Sequence, residues 1–184
     1  MPITAQTYER VALEDPDGKW ELVCGRLRNK PAMTLEHNGT ARRLAMHLTR
    51  QIDFASYLVD QDMARLRAPS GEFYIPDVCV IPLALERQLR RERPWTLELI
   101  DEPLPLVVEV WSPSTGSYDL GQKLHAYQAR GDREIWFLHP YEHWLRAWRR
   151  QADGSYAVTR FTGDAVVAPV ALPGVQIALA ALFE

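Results

Sequence analysis

Leu104-Pro105-Leu106-Val107-Val108-Glu109-Val110-Trp111 is the stretch that decides the fold. A short run that is nearly all apolar is the pattern of a central strand buried on both faces. Beyond it, Tyr118 to Arg130 reads as a helix, with Ser117 available as N-cap, Asp119 in the first turn and Gly131 placed to end it. Glu134 to Leu138 is the next strand, and Leu145 to Arg150 with Ser155 to Phe161 form a hairpin around Ala152-Asp153-Gly154. The tail closes with a short strand and a helical turn after Pro173-Gly174.

Working back from Leu104, Ala84 to Arg93 reads as a basic helix. Tyr57 to Arg67 and Phe73 to Ile81 read as two strands joined at Pro69-Ser70-Gly71. From His37 to Phe54, Ala41, Leu44, Ala45, Leu48 and Ile52 recur at helical spacing while Arg42, Arg43 and Arg50 lie off that stripe. Trp20 to Leu27 reads as a strand bending at Gly25, and Thr4 to Leu13 as a helix within an N-terminal arm over residues 1–16. This order predicts one α/β (α+β) domain over residues 1–184 with one mixed sheet.

The chain has 184 residues, 47 % of them apolar and 24 % charged, as in a globular protein with a sizeable core. A net charge of -3 excludes a protein coated in positive charge, but not an enzyme with a local basic surface around an acidic metal site. Only three of the 21 basic residues are lysines, Lys19, Lys30 and Lys123, so a lysine here is conspicuous. Cys24 and Cys79 lie in apolar runs without metal spacing and read as buried thiols of a reduced protein. Met1 to Arg10 has no signal-peptide pattern, and no apolar run approaches the roughly 20 residues of a membrane helix. A cytoplasmic protein without membrane contact is the expectation.

Two carboxylates occupy costly positions. Asp77 interrupts Tyr74-Ile75-Pro76-Asp77-Val78-Cys79-Val80-Ile81, and Glu109 interrupts the decisive strand. A carboxylate in a buried strand costs several kcal/mol unless it is paired, hydrogen-bonded or bound to metal. Either each pairs with an arginine at a strand end, or the two share a cation. Mg²⁺ suits the second case, because it takes one or two protein carboxylates and fills its shell with waters and phosphate oxygens. Asp119, Lys123 and Tyr127 are spaced by four and so share a helix face close to the end of the Glu109 strand. Lys123 is then either half of a surface ion pair with Asp119 or an ammonium beside a metal-bound phosphate.

These residues carry a resemblance. Trp20-Glu21-Leu-Val-x-Gly25, His37 opening a helix, Pro76-Asp77-Val78 and Val108-Glu109-Val110-x-Ser112-Pro113-Ser114-Thr115 belong to one series. It continues through Asp119-x-x-x-Lys123-x-x-x-Tyr127-x-x-x-Gly131, Glu134-x-Trp136 and Leu172-Pro173-Gly174. The series resembles the Uma-type putative restriction endonucleases of bacteria, within the PD-(D/E)XK nuclease superfamily, from about residue 4 to 183. The resemblance implies a restriction-endonuclease-like mixed central sheet flanked by helices, with extra antiparallel strands at the C-terminal end. It also implies a phosphodiesterase site using Mg²⁺ or Mn²⁺. Asp77 and Glu109 would be the metal carboxylates. Trp111 stands where the superfamily's usual lysine lies, and Lys123 would take over from the helix. Glu21 and His37 match family positions too, either at the site edge or as structural residues, Glu21 at the strand bend and His37 near the helix N-cap.

The expected partner is nucleic acid, DNA above all, with Arg42, Arg43, Arg65 and Arg67 as candidate contacts. The alternative is an inactive nuclease-fold protein that binds nucleic acid or a protein. The arginine clusters Arg87 to Arg93 and Arg146 to Arg150 read first as solvated faces; with Trp95, Trp144 and Trp148 nearby, a phosphate track or a homodimer interface is the alternative. His139-Pro140-Tyr141-Glu142-His143 matches a zinc-protease motif by letters alone, since Pro140 after a strand predicts a turn.

Overall fold

The computed structural model describes residues 3–15, 17–114 and 118–184. Its frame is a six-stranded mixed sheet built on the decisive stretch. In chain order the elements are α1 (Ala5–Glu14), β1 (Trp20–Val23), β2 (Arg26–Asn29), α2 (Leu35–Thr49), β3 (Tyr57–Asp60), β4 (Arg65–Arg67), β5 (Phe73–Tyr74) and β6 (Val78–Pro82). They continue with α3 (Leu83–Glu92), β7 (Leu99–Ile100), β8 (Leu106–Val110), a π-helical turn (Asp119–Lys123) that runs into α4 (Leu124–Arg130), β9 (Glu134–His139), β10 (Trp144–Arg150) and β11 (Tyr156–Thr162). Two short strands, β12 (Val166–Val167) and β13 (Ile177–Ala178), and a 3₁₀ turn (Ala180–Leu182) complete it.

The large sheet has the order β11-β10-β9-β8-β6-β3, with β8 and β9 parallel and the other pairs antiparallel. All five residues of β8 are buried. Alternation divides the two faces. Val78, Val80, Leu106, Val108 and Val110 meet Ala41, Leu44 and Leu48 of α2 together with the C-terminal tail. Cys79, Ile81, Val107 and Phe137 meet α3, α4 and Leu66 of β4. Glu109 takes its turn on this second face.

Where one sheet was expected, a second of five strands, β2-β1-β5-β4-β7, accompanies the first, beside the small β12-β13 pair. The stretch Trp20 to Leu27 is therefore a hairpin, not one bent strand. Cys24 (φ 49°) and Gly25 (φ 71°) form its turn, the left-handed pair that a tight hairpin needs. Cys24 is consequently exposed, whereas Cys79 is buried as expected. The two long strand predictions also divide. The first breaks between β3 and β4, where Asp62 has φ 62°; the second breaks at Ile75-Pro76-Asp77 between β5 and β6. Pro76 has no N–H to give to a ladder, so it suits a crossing between sheets. The chain thus passes the seam between the two sheets at Asp62 and again at Asp77. Helix α2 ends at Thr49 instead of Phe54 and starts two residues earlier than predicted, capped by Thr34 Oγ1, which accepts from His37 N at 3.2 Å. Among the described residues, no helix is long and apolar enough to cross a membrane.

Candidate functional site

At the seam, Asp77 retains a ladder bond, its N–H donating to Val108 O at 3.1 Å. Its Oδ2 accepts from Val110 N at 2.6 Å and lies 3.1 Å from His37 Nε2. Its Oδ1 accepts from Lys30 Nζ at 2.6 Å. On the neighbouring strand, Glu109 Oε1 accepts from Tyr127 OH at 2.6 Å and from Lys123 Nζ at 3.1 Å. Lys123 also lies 3.0 Å from Glu21 Oε1, which in turn accepts from Ile75 N at 3.0 Å. Tyr118 OH donates to the other Glu21 oxygen at 3.2 Å, beneath the Arg28 guanidinium. The carbonyl of Ile75 accepts from Lys30 and Lys123, at 3.2 and 3.3 Å, which brings the two ammoniums side by side.

Lys123 is 2 % exposed, and Glu21, His37, Asp77 and Glu109 are 1 % exposed each. Lys123 is therefore a buried ammonium and not a surface one. Lys123 and Tyr127 meet on one carboxylate as their spacing predicts, after a π turn of the kind that recurs at functional sites. The side chain of Asp119 and the expected N-cap Ser117 lie outside the described residues. Glu21 and His37 both join the cluster, Glu21 through Lys123 and His37 through Asp77, and the carboxylates pair with lysines instead of strand-end arginines.

A family model described as Uma2, putative restriction endonuclease, matches residues 5–180. The chain belongs to the Uma2 family. Among solved structures, a putative nuclease belonging to DUF820 from Anabaena variabilis shares the fold, with a TM-score of 0.73. That match covers 89 % of this chain and 89 % of the other at 17 % identity. Among curated proteins none matches.

The electrostatics of this Uma2 site are those of a dense ion network. Burial is the largest single influence on Asp77 and opposes its ionisation, but Lys30, His37 and Lys123 together outweigh it and hold the carboxyl well below the usual range. Burial likewise opposes the Lys30 ammonium, as does nearby Lys123, and the carboxylates of Asp77, Glu109 and Asp62 together overcome them, so the lysine pKa is raised. His37 follows the same logic: burial lowers its pKa, while the hydrogen bond and charge of Asp77 and a hydrogen bond with Asn38 together raise it above its ordinary value.

Among the described residues, the three buried carboxylates of Glu21, Asp77 and Glu109 face the two buried ammoniums of Lys30 and Lys123. The hard oxygens of Asp77 and Glu109 match Mg²⁺, which needs only one or two protein carboxylates. No group of three or more His, Cys, Asp or Glu side chains among the described residues is arranged to hold a metal.

Lys30, Asp62 and Tyr118 are members of the cluster that sequence reasoning missed. Asp62 Oδ1 accepts from Lys30 at 2.5 Å, and its other oxygen pairs with Lys19 at 2.8 Å. The scarcity of lysine was the available signal, since all of Lys19, Lys30 and Lys123 enter this one network. The four candidate nucleic-acid arginines do not form one patch. Arg42 is exposed on α2, and Arg43 donates to Leu182 O at 3.4 Å. Arg65 and Arg67 lie on β4, across the large sheet from α2, and Arg67 is 3.8 Å from Asp101. His139 to His143 is a turn at the end of β9, where His139 Nδ1 accepts from Glu142 N at 3.0 Å.

Proposed function

We propose that the chain is a metal-dependent phosphodiesterase, an endonuclease acting on DNA. The observation that carries this reading is one buried network that joins Asp77, at the entry to β6, to Glu109 on the neighbouring β8: Lys30 holds Asp77, Lys123 lies 3.1 Å from Glu109, and both ammoniums share the Ile75 carbonyl. Membership of a family described as putative restriction endonuclease supports it. Asp77 and Glu109 would hold Mg²⁺ or Mn²⁺, and such an ion, when bound, polarises a phosphate and acidifies a water. His37 and the Val110 N–H fix the rotamer of Asp77, while Tyr127 fixes that of Glu109. Glu21 aims Lys123, whose ammonium stabilises negative charge gathering on the phosphate and orients the attacking water.

A second reading, a nuclease-fold protein that binds without cutting, draws on burial, because Asp77 and Glu109 are each 1 % exposed. Plasmid nicking with Mg²⁺ or Mn²⁺ separates the two. Wild type is expected to nick, and Asp77→Ala and Lys123→Ala to lose at least about 100-fold, as for loss of a main charge-stabilising group. Equal cleavage by all three proteins identifies a contaminant and overturns the enzyme reading. DNA retention by a wild type that never nicks supports the second.

A further inference from the structure

An ammonium has three donors. Those of Lys30 are spent on Asp77 Oδ1 at 2.6 Å, Asp62 Oδ1 at 2.5 Å and the Ile75 carbonyl at 3.2 Å. Asp77 is equally committed, with His37 and the Val110 N–H on its second oxygen. A cation approaching Oδ1 therefore meets a lysine already in place. Asp62 differs from Asp77 in position: its side chain is 22 % exposed against 2 %, and it sits on the outer side of Lys30 with Lys19 as its other partner. The four-carbon lysine stem is flexible enough to trade one carboxylate for the other.

We propose that Lys30 is a resident counter-cation of Asp77, which a divalent ion must displace, and that Asp62 retains the ammonium once it is displaced. The proposal rests on the reading of Asp77 as a metal ligand. Cation affinity is then set partly by Asp62 and Lys19, outside the carboxylate pair itself. Removing Lys30 strengthens binding, because nothing has to leave Oδ1. Removing Asp62 weakens it, because the displaced ammonium has lost its alternative partner.

The test is Mn²⁺ binding to the full chain, read by calorimetry and by the electron paramagnetic resonance of free Mn²⁺. Lys30→Met is expected to bind about tenfold or more tightly than wild type, the equivalent of one charged hydrogen bond. Asp62→Asn is expected to bind more weakly. Lys19→Met removes the same charge from the exposed end of the network and serves as the control for charge alone. Its effect is expected to be small and to vanish in about 1 M salt, where screening acts beyond about 3 Å, while the Lys30→Met gain persists. Equal and measurable affinity in wild type and Lys30→Met overturns the proposal and leaves the metal reading standing, as does a gain no larger than that of Lys19→Met. No uptake by folded wild type and folded Lys30→Met overturns the metal reading together with it. Should Lys30→Met fail to fold, Asp62→Asn decides by its sign: tighter binding, or none of the weakening, refutes displacement.

Discussion

Lys123 carries two burdens, because the side chain proposed to act on phosphate is also the partner of two buried carboxylates, Glu21 and Glu109. Removing one member of a buried ion network strands the others without compensation, at roughly 3–5 kcal/mol. Lys123→Met is therefore expected to unfold in urea with a stability lower by about that amount. Adding Glu109→Gln removes one of the stranded charges, so the double variant is expected to recover part of the loss. Additive losses would show that the two side chains are not energetically coupled. Asp77 and Glu109 were legible in the sequence because each breaks an apolar run, and a charge there demands a partner. Lys30 was not, because it follows a short strand in a stretch without periodicity. Its role exists only once the chain has folded Asp62 and Asp77 onto the same ammonium.

Elements were legible where a periodic face packs on one neighbour and illegible where the chain changes neighbour midway. Helix α2 and the strand β8 follow from their patterns, since each keeps one environment along its length. The predicted strands from Tyr57 and from Phe73 each run from one sheet into the other, and alternation along the chain carries no mark of that exchange. The start of α2 matters most to the site. Thr34 caps the helix through His37 N and shares a hydrogen bond with Tyr141 OH at 2.8 Å, so the cap sets the entry angle of the histidine that holds Asp77. Thr34→Ala is expected to lower stability by about 0.5–2 kcal/mol in thermal or urea unfolding, and a silent substitution would mean that water replaces the cap. The hairpin turn is fastened separately. Glu72 accepts from Cys24 N at 2.9 Å, Tyr74 OH at 2.9 Å and Ser70 Oγ at 3.0 Å. Partial burial pushes its pKa up, but these donors prevail and lower it from an ordinary 4.5. A carboxyl whose pKa is lowered by folding stabilises the protein above its unfolded pKa, and that contribution fades as pH falls through the folded value. Glu72→Gln is thus expected to be less stable than wild type at neutral pH, with the gap narrowing as pH falls below the ordinary value of 4.5 and closing once the folded carboxyl is protonated. A gap that does not change with pH would show that the charge of Glu72 is not what fastens the turn.

At the scale of the whole molecule, the candidate site depends on the alignment of two sheets, because Glu21 comes from the small sheet and Asp77 and Glu109 from the strands of the large one or their entry. Arg130, buried at the end of α4, ties the two together. Its guanidinium donates to the carbonyls of Arg67 at 2.5 Å, Ile100 at 2.7 Å and Glu102 at 2.6 Å, on and just after the small-sheet strands β4 and β7. Its Nε pairs with Asp132 at 3.0 Å, and Asp132 accepts from Leu104 N at 2.7 Å, next to β8. Lysine keeps the charge but lacks the planar fork that reaches several acceptors at once. Arg130→Lys leaves buried carbonyls unsatisfied at about 1–3 kcal/mol each, so the melting temperature is expected to fall by roughly 5–10 °C. Its second effect is the more informative. With the sheets less firmly aligned, Glu21 no longer aims Lys123 at Glu109, so nicking by the folded variant, measured well below its melting temperature, is expected to fall as well. Full nicking activity in a destabilised Arg130→Lys protein would show that the large sheet alone holds the working geometry, and that Glu21 contributes to folding without positioning the lysine.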